Sequence, residues 1–186
     1  MTRLRTLTRF FAGISLLFAL SPAGADTSVR VLPLHLDKPI RQDFINSMLR
    51  DGDGYLWIAT DNGLNRYDGY SLRTFTHVPN DLTSIGSPNS FSVFIDASDR
   101  LWVLGSVLNR YFPESESFRN FVVSNYNVLH AAADAVGGSL WLGGDRTGLL
   151  LFDPDAGVVR KRLFHDGDHP LTIFNILPER DSAQYW

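Results

Sequence analysis

After residue 26 the apolar residues of this chain fall in short runs and never in a helical stripe. No segment keeps apolar positions at i, i+3, i+4 and i+7 through three turns without a Gly or Pro, which is the pattern an amphipathic helix needs. The runs are rich in Val, Ile, Phe, Tyr and Leu, and turn dipeptides such as Asp53-Gly54, Asn62-Gly63 and Asp68-Gly69 separate them. β-Branched and aromatic residues suit a pleated surface, and Gly supplies the positive φ of tight turns, so the chain is predicted to be all-β.

The runs are periodic. Trp57, Trp102, Trp141 and Trp186 are the four Trp residues of the chain, spaced 45, 39 and 45 apart. Leu56, Leu101 and Leu140 precede the first three, and Asp51, Asp96 and Asp134 stand six or seven residues ahead of them. LNRY follows at Leu64 to Tyr67 and again at Leu108 to Tyr111, and GLLLFD takes the corresponding place at Gly148 to Asp153. A last apolar run leads out of each unit, at Ser71 to Phe75, Ser117 to Val123 and Val158 to Phe164. Four short runs per unit, divided by Gly, Asp, Asn and Pro, predict four-stranded antiparallel β-propeller blades. The predicted blades cover residues 44–75, 90–123 and 128–164, and a fourth occupies 173–186. Propellers use about four to eight blades, so three and a fraction predict an incomplete ring.

The stretch DGDGYLWIATDNGLNRYDG from Asp51 to Gly69, with the run Phe44 to Arg50 before it and HVPNDLTSI after it, resembles the two-component regulator propeller repeat. The resemblance is strong in the first unit and looser in the next two: the second lacks the Gly before LNRY, and the third has one extra residue between Asp134 and Trp141. It implies the periplasmic sensor region of a membrane histidine kinase, a hybrid two-component protein or a diguanylate cyclase. It also implies a small-molecule or oligosaccharide ligand, further propeller and transmitter domains, and a possible homodimer of the complete protein. A secreted propeller acting alone on glycans, as binder or enzyme, and a decayed gene fragment are the alternatives.

Composition adds location. Arg3, Arg5 and Arg9 precede the apolar run Phe10 to Leu20, and Ala23-Gly24-Ala25 ends the segment, so residues 1–25 are expected to be a secretory signal peptide. Residues 26–43 then form an N-terminal strand and linker, and residues 44–186 the partial propeller. Without the first 25 residues, which hold three Arg and no acid, the formal charge falls from −3 to −6. An acidic chain with no basic cluster excludes nucleic acid as the expected partner. With no Cys there is neither a disulfide framework nor a thiolate ligand. A periplasmic location fits both facts.

The candidate chemistry is sparse. Counted as an EF-hand from Asp51, the loop has Leu56 where Gly is needed and Asn62 where Glu is needed, so the aspartates and glycines are assigned to turns. His165-Asp166-Gly167-Asp168-His169 could ligate a divalent ion, but His77 and Leu82-Thr83 recur in it as His165 and Leu171-Thr172, so it is read as a linker. No metal site and no cofactor are expected. The Trp series, at one repeat position, is assigned to the core between blades. Counting four back from Asp51, Asp96 and Asp134 gives Ser47, Ser92 and His130, polar residues on the innermost strand and hence candidate ligand contacts along the channel. Small residues are needed where blades crowd the axis; His130 is larger and titratable, which makes it the leading candidate. No nucleophile elbow, zinc-protease helix, P-loop or dinucleotide fingerprint occurs, so the chain is not expected to be an enzyme. Its end at Trp186, inside a half-built blade, is expected to leave residues 26–186 insoluble, oligomeric or partly unfolded on their own.

Overall fold

The computed structural model describes residues 44–125, 127–163, 165–166 and 169–177. The expected signal peptide, the strand and linker expected at residues 26–43, Trp186 and most of the fourth predicted blade lie outside them. Three four-stranded antiparallel sheets account for nearly all the regular structure. The first contains β1 (Ile45–Arg50), β2 (Leu56–Thr60), β3 (Gly63–Tyr67) and β4 (Leu72–Phe75). The second contains β5 (Ser92–Ile95), β6 (Leu101–Leu104), β7 (Leu108–Phe112) and β8 (Ser117–Phe121). The third contains β9 (Leu129–Asp134), β10 (Leu140–Gly144), β11 (Gly148–Asp153) and β12 (Val158–Leu163). Each is an up-and-down meander in chain order. The fold is therefore all-β, three propeller blades without ring closure. A pair of two-residue strands, His165–Asp166 with His169–Pro170, follows the third sheet. Among the described residues the sole helical element is a 3-10 turn at Val136–Gly138.

The blades stack face to face. β6 is buried at successive positions, not at alternate ones, because Leu101 and Val103 pack toward the first blade and Trp102 and Leu104 toward the third; β2 is buried likewise, with Trp57 and Ala59 turned to the second blade. Trp57 projects from β2 against the second sheet and meets Phe75 and Tyr111, with ring centroids 6.1 and 4.9 Å away. Trp102 repeats the arrangement one blade on, with Phe121 at 6.0 Å and Phe152 at 5.9 Å. Both indoles are buried. Trp141 is half-buried and packs with Leu163, Ile173 and Ile176 in a third, smaller cluster.

Local chemistry explains the repeated motif. In LNRY, Leu64 and Leu108 are fully buried. The Asn109 amide donates to the Val103 and Val107 carbonyls and accepts from Gly86 N–H, so it satisfies backbone groups that strand pairing leaves open. Asp51 accepts from the Trp57 indole at 2.7 Å and from Tyr55 N–H at 2.8 Å, joining its hairpin to the core. Asp96 does the same with Trp102 at 2.8 Å and with Arg100 N–H at 3.0 Å. Asp134 differs. It stands opposite Leu140, the register position of Arg50 and Ile95, and it accepts from Ala97 N–H of the second sheet at 2.9 Å. The turn from Asp134 to Leu140 has the same five residues as the other two, with Ala135 in the place of Asp51 and Asp96, and Gly137 and Gly138 in it take φ of 78° and 76°.

Candidate functional site

β1, β5 and β9 are the first strands of the three sheets and lie beside one another, β1 against β5 and β5 against β9. In each antiparallel meander the start of the first strand adjoins the end of the second and the turn into the third. These three features therefore share one rim.

A bulge shapes that rim. Ile45 pairs with Thr60 and Ser47 with Ala59, which leaves Asn46 as the inserted residue. Leu129 pairs with Gly144 and Ala131 with Gly143, which leaves His130 in the same place. An extra residue in one strand breaks the ladder locally and re-aims its side chain. Asn46 donates to Asp61 Oδ1 at 2.8 Å and to the Ser90 carbonyl at 3.0 Å. His130 Nε2 lies 3.1 Å from Asp145 Oδ1. Asp61 and Asp145 each follow the last residue of a second strand, so the two pairs are equivalent.

The blade-to-blade hydrogen bonds extend the series. Ser90 N–H donates to the Thr60 carbonyl, Leu129 N–H to Gly105 and Ile173 N–H to Gly144. The residues that follow these donors are Phe91, His130 and Phe174. His130 sits between the other two, with ring centroids 5.6 Å from Phe91 and 5.3 Å from Phe174. The imidazole is 21% exposed and Phe174 71% exposed, so the row presents aromatic surface to solvent. Asn46, Phe91, His130 and Phe174 thus form a step-wise row of amide, ring, imidazole and ring, with Asp61 and Asp145 behind it. Hydrogen-bonding groups beside exposed ring faces can fix both the orientation and the apolar side of a small ligand.

Ser47 and Ser92 lie one residue deeper along their strands, opposite Ala59 and Leu104, where the third sheet has Ala131. The Ser47 hydroxyl accepts from Val93 N–H at 3.4 Å and so joins two inner strands. The structure does not bring these serines into the row with His130. Counting back from the Asp residues skips a position because Asp134 is offset by one. Counting eleven back from Trp57, Trp102 and Trp141 instead reaches Asn46, Phe91 and His130, so the Trp spacing contained the signal for the residues the Asp anchor missed.

The opposite rim carries the first-to-second and third-to-fourth strand turns. A cleft of about 810 Å³ opens there, lined by Tyr55, Trp57, Arg66, Arg100, Arg110 and Tyr111 among others. Burial pushes the Tyr111 hydroxyl pKa up, against the opposing charge of Arg66, so the phenol is neutral when it accepts from Arg66 Nη1 at 3.0 Å. The linker His77 places Nδ1 2.8 Å from the Ile85 carbonyl, and Asp168 of the second linker lies outside the described residues. No group of three or more potential metal ligands occurs among the described residues.

The family described as two component regulator propeller matches residues 39–62, from the approach to β1 through the β2–β3 turn. The chain is similar in structure to the extracellular domain of BT4673 from B. thetaiotaomicron, described in one structure as a one-component system. That match has a TM-score of 0.63 and 22% identity, and covers 79% of this chain and 20% of that one. A second structure of this domain, described as a hybrid two-component system, matches with a TM-score of 0.60 and 23% identity over 76% and 20% of the two chains. The extracellular domain of the hybrid two-component system BT3049 from the same organism matches with a TM-score of 0.55 and 23% identity over 63% and 18%. The chain spans about a fifth of the length of these structures. No curated protein matches it.

Proposed function

We propose that this chain, whose residues 39–62 carry a two component regulator propeller repeat, is part of the exported ligand-sensing propeller of a signal-transduction protein. The match of that repeat to the first of three stacked blades is the observation that carries the reading. The chain contributes ligand contact and no catalytic step. Further blades complete the ring, and a membrane segment relays occupancy to a transmitter inside the cell. The small fraction of the related structures that the chain spans, about a fifth, supports the need for those further parts.

Ligand contact falls to the bulge row. Framework positions repeat from blade to blade, whereas one equivalent place carries Asn46, Phe91, His130 and Phe174, an amide, an imidazole and two phenyl rings. A ring of blades that differ at one position can read an asymmetric molecule, with each blade supplying one contact. The ligand is a small molecule or an oligosaccharide lying across the rim, with an apolar face against the rings and a hydrogen-bonding group toward His130 and Asn46.

Export is tested by fusing alkaline phosphatase after residue 186 in the natural gene and assaying intact bacteria. Phosphatase is active only outside the cytoplasm, so an active fusion that loses activity when residues 1–25 are deleted is the expected result. An inactive but stably produced fusion would overturn the reading.

A further inference from the structure

The rim opposite the bulge row is closed between the second and third blades. Arg100 Nη1 reaches Asp155 Oδ1 at 3.1 Å, and Arg100 Nη2 lies 3.5 Å from the Gly138 carbonyl oxygen. Ala97 N–H donates to Asp134 at 2.9 Å. Three contacts from the β5–β6 turn therefore bridge to the third blade.

Strand register identifies the counterparts of these groups one junction earlier. Leu56, Leu101 and Leu140 pair with Arg50, Ile95 and Asp134, which makes Tyr55 the counterpart of Arg100, Asp99 that of Gly138 and Ile95 that of Asp134. Asp99 and Gly138 share a positive φ, 57° and 76°. Phe112 pairs with Ser117 as Asp153 pairs with Val158, so Glu114 takes the place of Asp155. Both acceptors of the Arg100 guanidinium thus recur, as the Glu114 carboxylate and the Asp99 carbonyl. The cation does not, because Tyr55 offers a phenol in its place, and Ile95 has no carboxylate to bridge the blades. Among the described residues neither the Tyr55 hydroxyl nor the Glu114 carboxylate makes a hydrogen bond or ion pair.

Where the second junction is closed, the first opens as the cleft of about 810 Å³, with Tyr55, Ile95, Asp99 and Glu114 on its walls. Its charge balance favours a cation. Arg66 is held by Glu116 at 2.8 Å and Arg100 by Asp96 at 2.6 Å. That leaves the carboxylates of Asp53, Asp99 and Glu114 unpaired among the described residues, against the guanidinium of Arg110, which lies 4.7 Å from the Phe112 ring centre. Leu101, Tyr111 and Phe112 add apolar wall. A carboxylate offers an amidinium or guanidinium two parallel charge-assisted hydrogen bonds, and a cleft of this size encloses a small molecule.

We propose that the cleft between the first and second blades binds the amidinium or guanidinium group of a small organic cation. The group sits on Glu114 and the Asp99 carbonyl as the Arg100 guanidinium sits on Asp155 and the Gly138 carbonyl one junction on. The walls belong to the first two blades alone, so the site does not depend on the ligand assignment of the bulge row.

The test is isothermal titration of the full product of the gene with benzamidine at constant ionic strength, with benzamide as its neutral counterpart. Saturable binding of benzamidine, and none of benzamide at the same concentrations, is expected. Glu114→Gln, an exposed substitution, should weaken benzamidine binding by about tenfold or more, the loss of hydrogen bonds to a charged group. Tyr55→Arg should carry a guanidinium into the cleft from the chain itself and abolish binding, whereas Asp155→Asn, at the second junction, should leave binding unchanged. The absence of benzamidine heat with the unaltered protein, equal binding of benzamide, or unchanged affinity in folded Glu114→Gln or folded Tyr55→Arg would each overturn the proposal. Far-UV circular dichroism establishes that each variant is folded.

Discussion

Asp96 joins a hairpin to the core. It accepts from the Trp102 indole, from Ser98 and Arg100 N–H and from the Arg100 guanidinium. Burial alone would raise its pKa, but the donors outweigh burial, with Trp102 the largest of them, and hold the carboxyl below its ordinary value of 3.8. A depressed folded-state pKa contributes stability above the unfolded value that is lost as pH falls through the folded one. Asp96→Asn should therefore lower the melting temperature at pH 7 and flatten its decline below about pH 4. Thermal melts at several pH values check both effects. Asp68 shows turn chemistry in isolation: hydrogen bonds from Ser71 and Tyr70 lower its pKa to about 2, which a carboxyl NMR titration will read directly. That the aspartates serve turns was legible in their Asp-Gly spacing. The indole as a second partner was not, because residues six apart meet only once the hairpin closes. For His130→Ala, a ligand that raises the melting temperature of the complete propeller should bind about tenfold more weakly, a loss of about 1.4 kcal/mol. Unchanged affinity would remove His130 from the site.

At the scale of the strand pair, turns and bulges set the register. Gly63 opens the β2–β3 hairpin partner strand at φ 104°, and a Cβ there would strike the Phe75 carbonyl oxygen. Gly63→Ala should therefore destabilise by at least about 1–3 kcal/mol, the cost of a sparsely populated backbone region, and more if the hairpin must shift. Chemical denaturation measures it. The four strands of each blade were legible because turn dipeptides and apolar runs are local signals. The bulges were not. A one-residue insertion leaves apolar composition unchanged while it moves the rim position from Ser47 to Asn46, and only pairing partners reveal that shift. Asp134 misled because it stands one position earlier than Asp51 and Asp96, paired with Leu140 on the strand and not in the turn, whose length is the same in all three hairpins. The Trp spacing stayed true because burial between blades fixes the indole.

For the stacked blades as a whole, the junctions bear the stability. Trp102 is fully buried among Phe121, Phe152, Leu104 and Leu140. Trp102→Ala should cost roughly 3–5 kcal/mol, as truncating a buried aromatic does. The melt should lose the near-UV signal of the aromatic core and the far-UV signal together, because both neighbouring sheets rest on that cluster. Phe44, Ile45 and Met48 are exposed at one end of the described residues, and Phe174 and Leu177 at the other. Such surfaces suit contact with further blades, and a complete ring would place the bulge row around a central opening. The open cleft between the first two blades was hidden from sequence inspection, since only strand register shows that Tyr55 stands where the next blade has Arg100. The most direct measurement is the nucleotide sequence downstream of the Trp186 codon. Further Leu-Trp repeats at intervals near 40 codons, followed by a membrane-spanning segment and a signalling transmitter, are the expected result. A reading frame that continues into an unrelated catalytic domain with no further repeats, or that stops at once, would contradict the assignment of this chain to a sensor propeller.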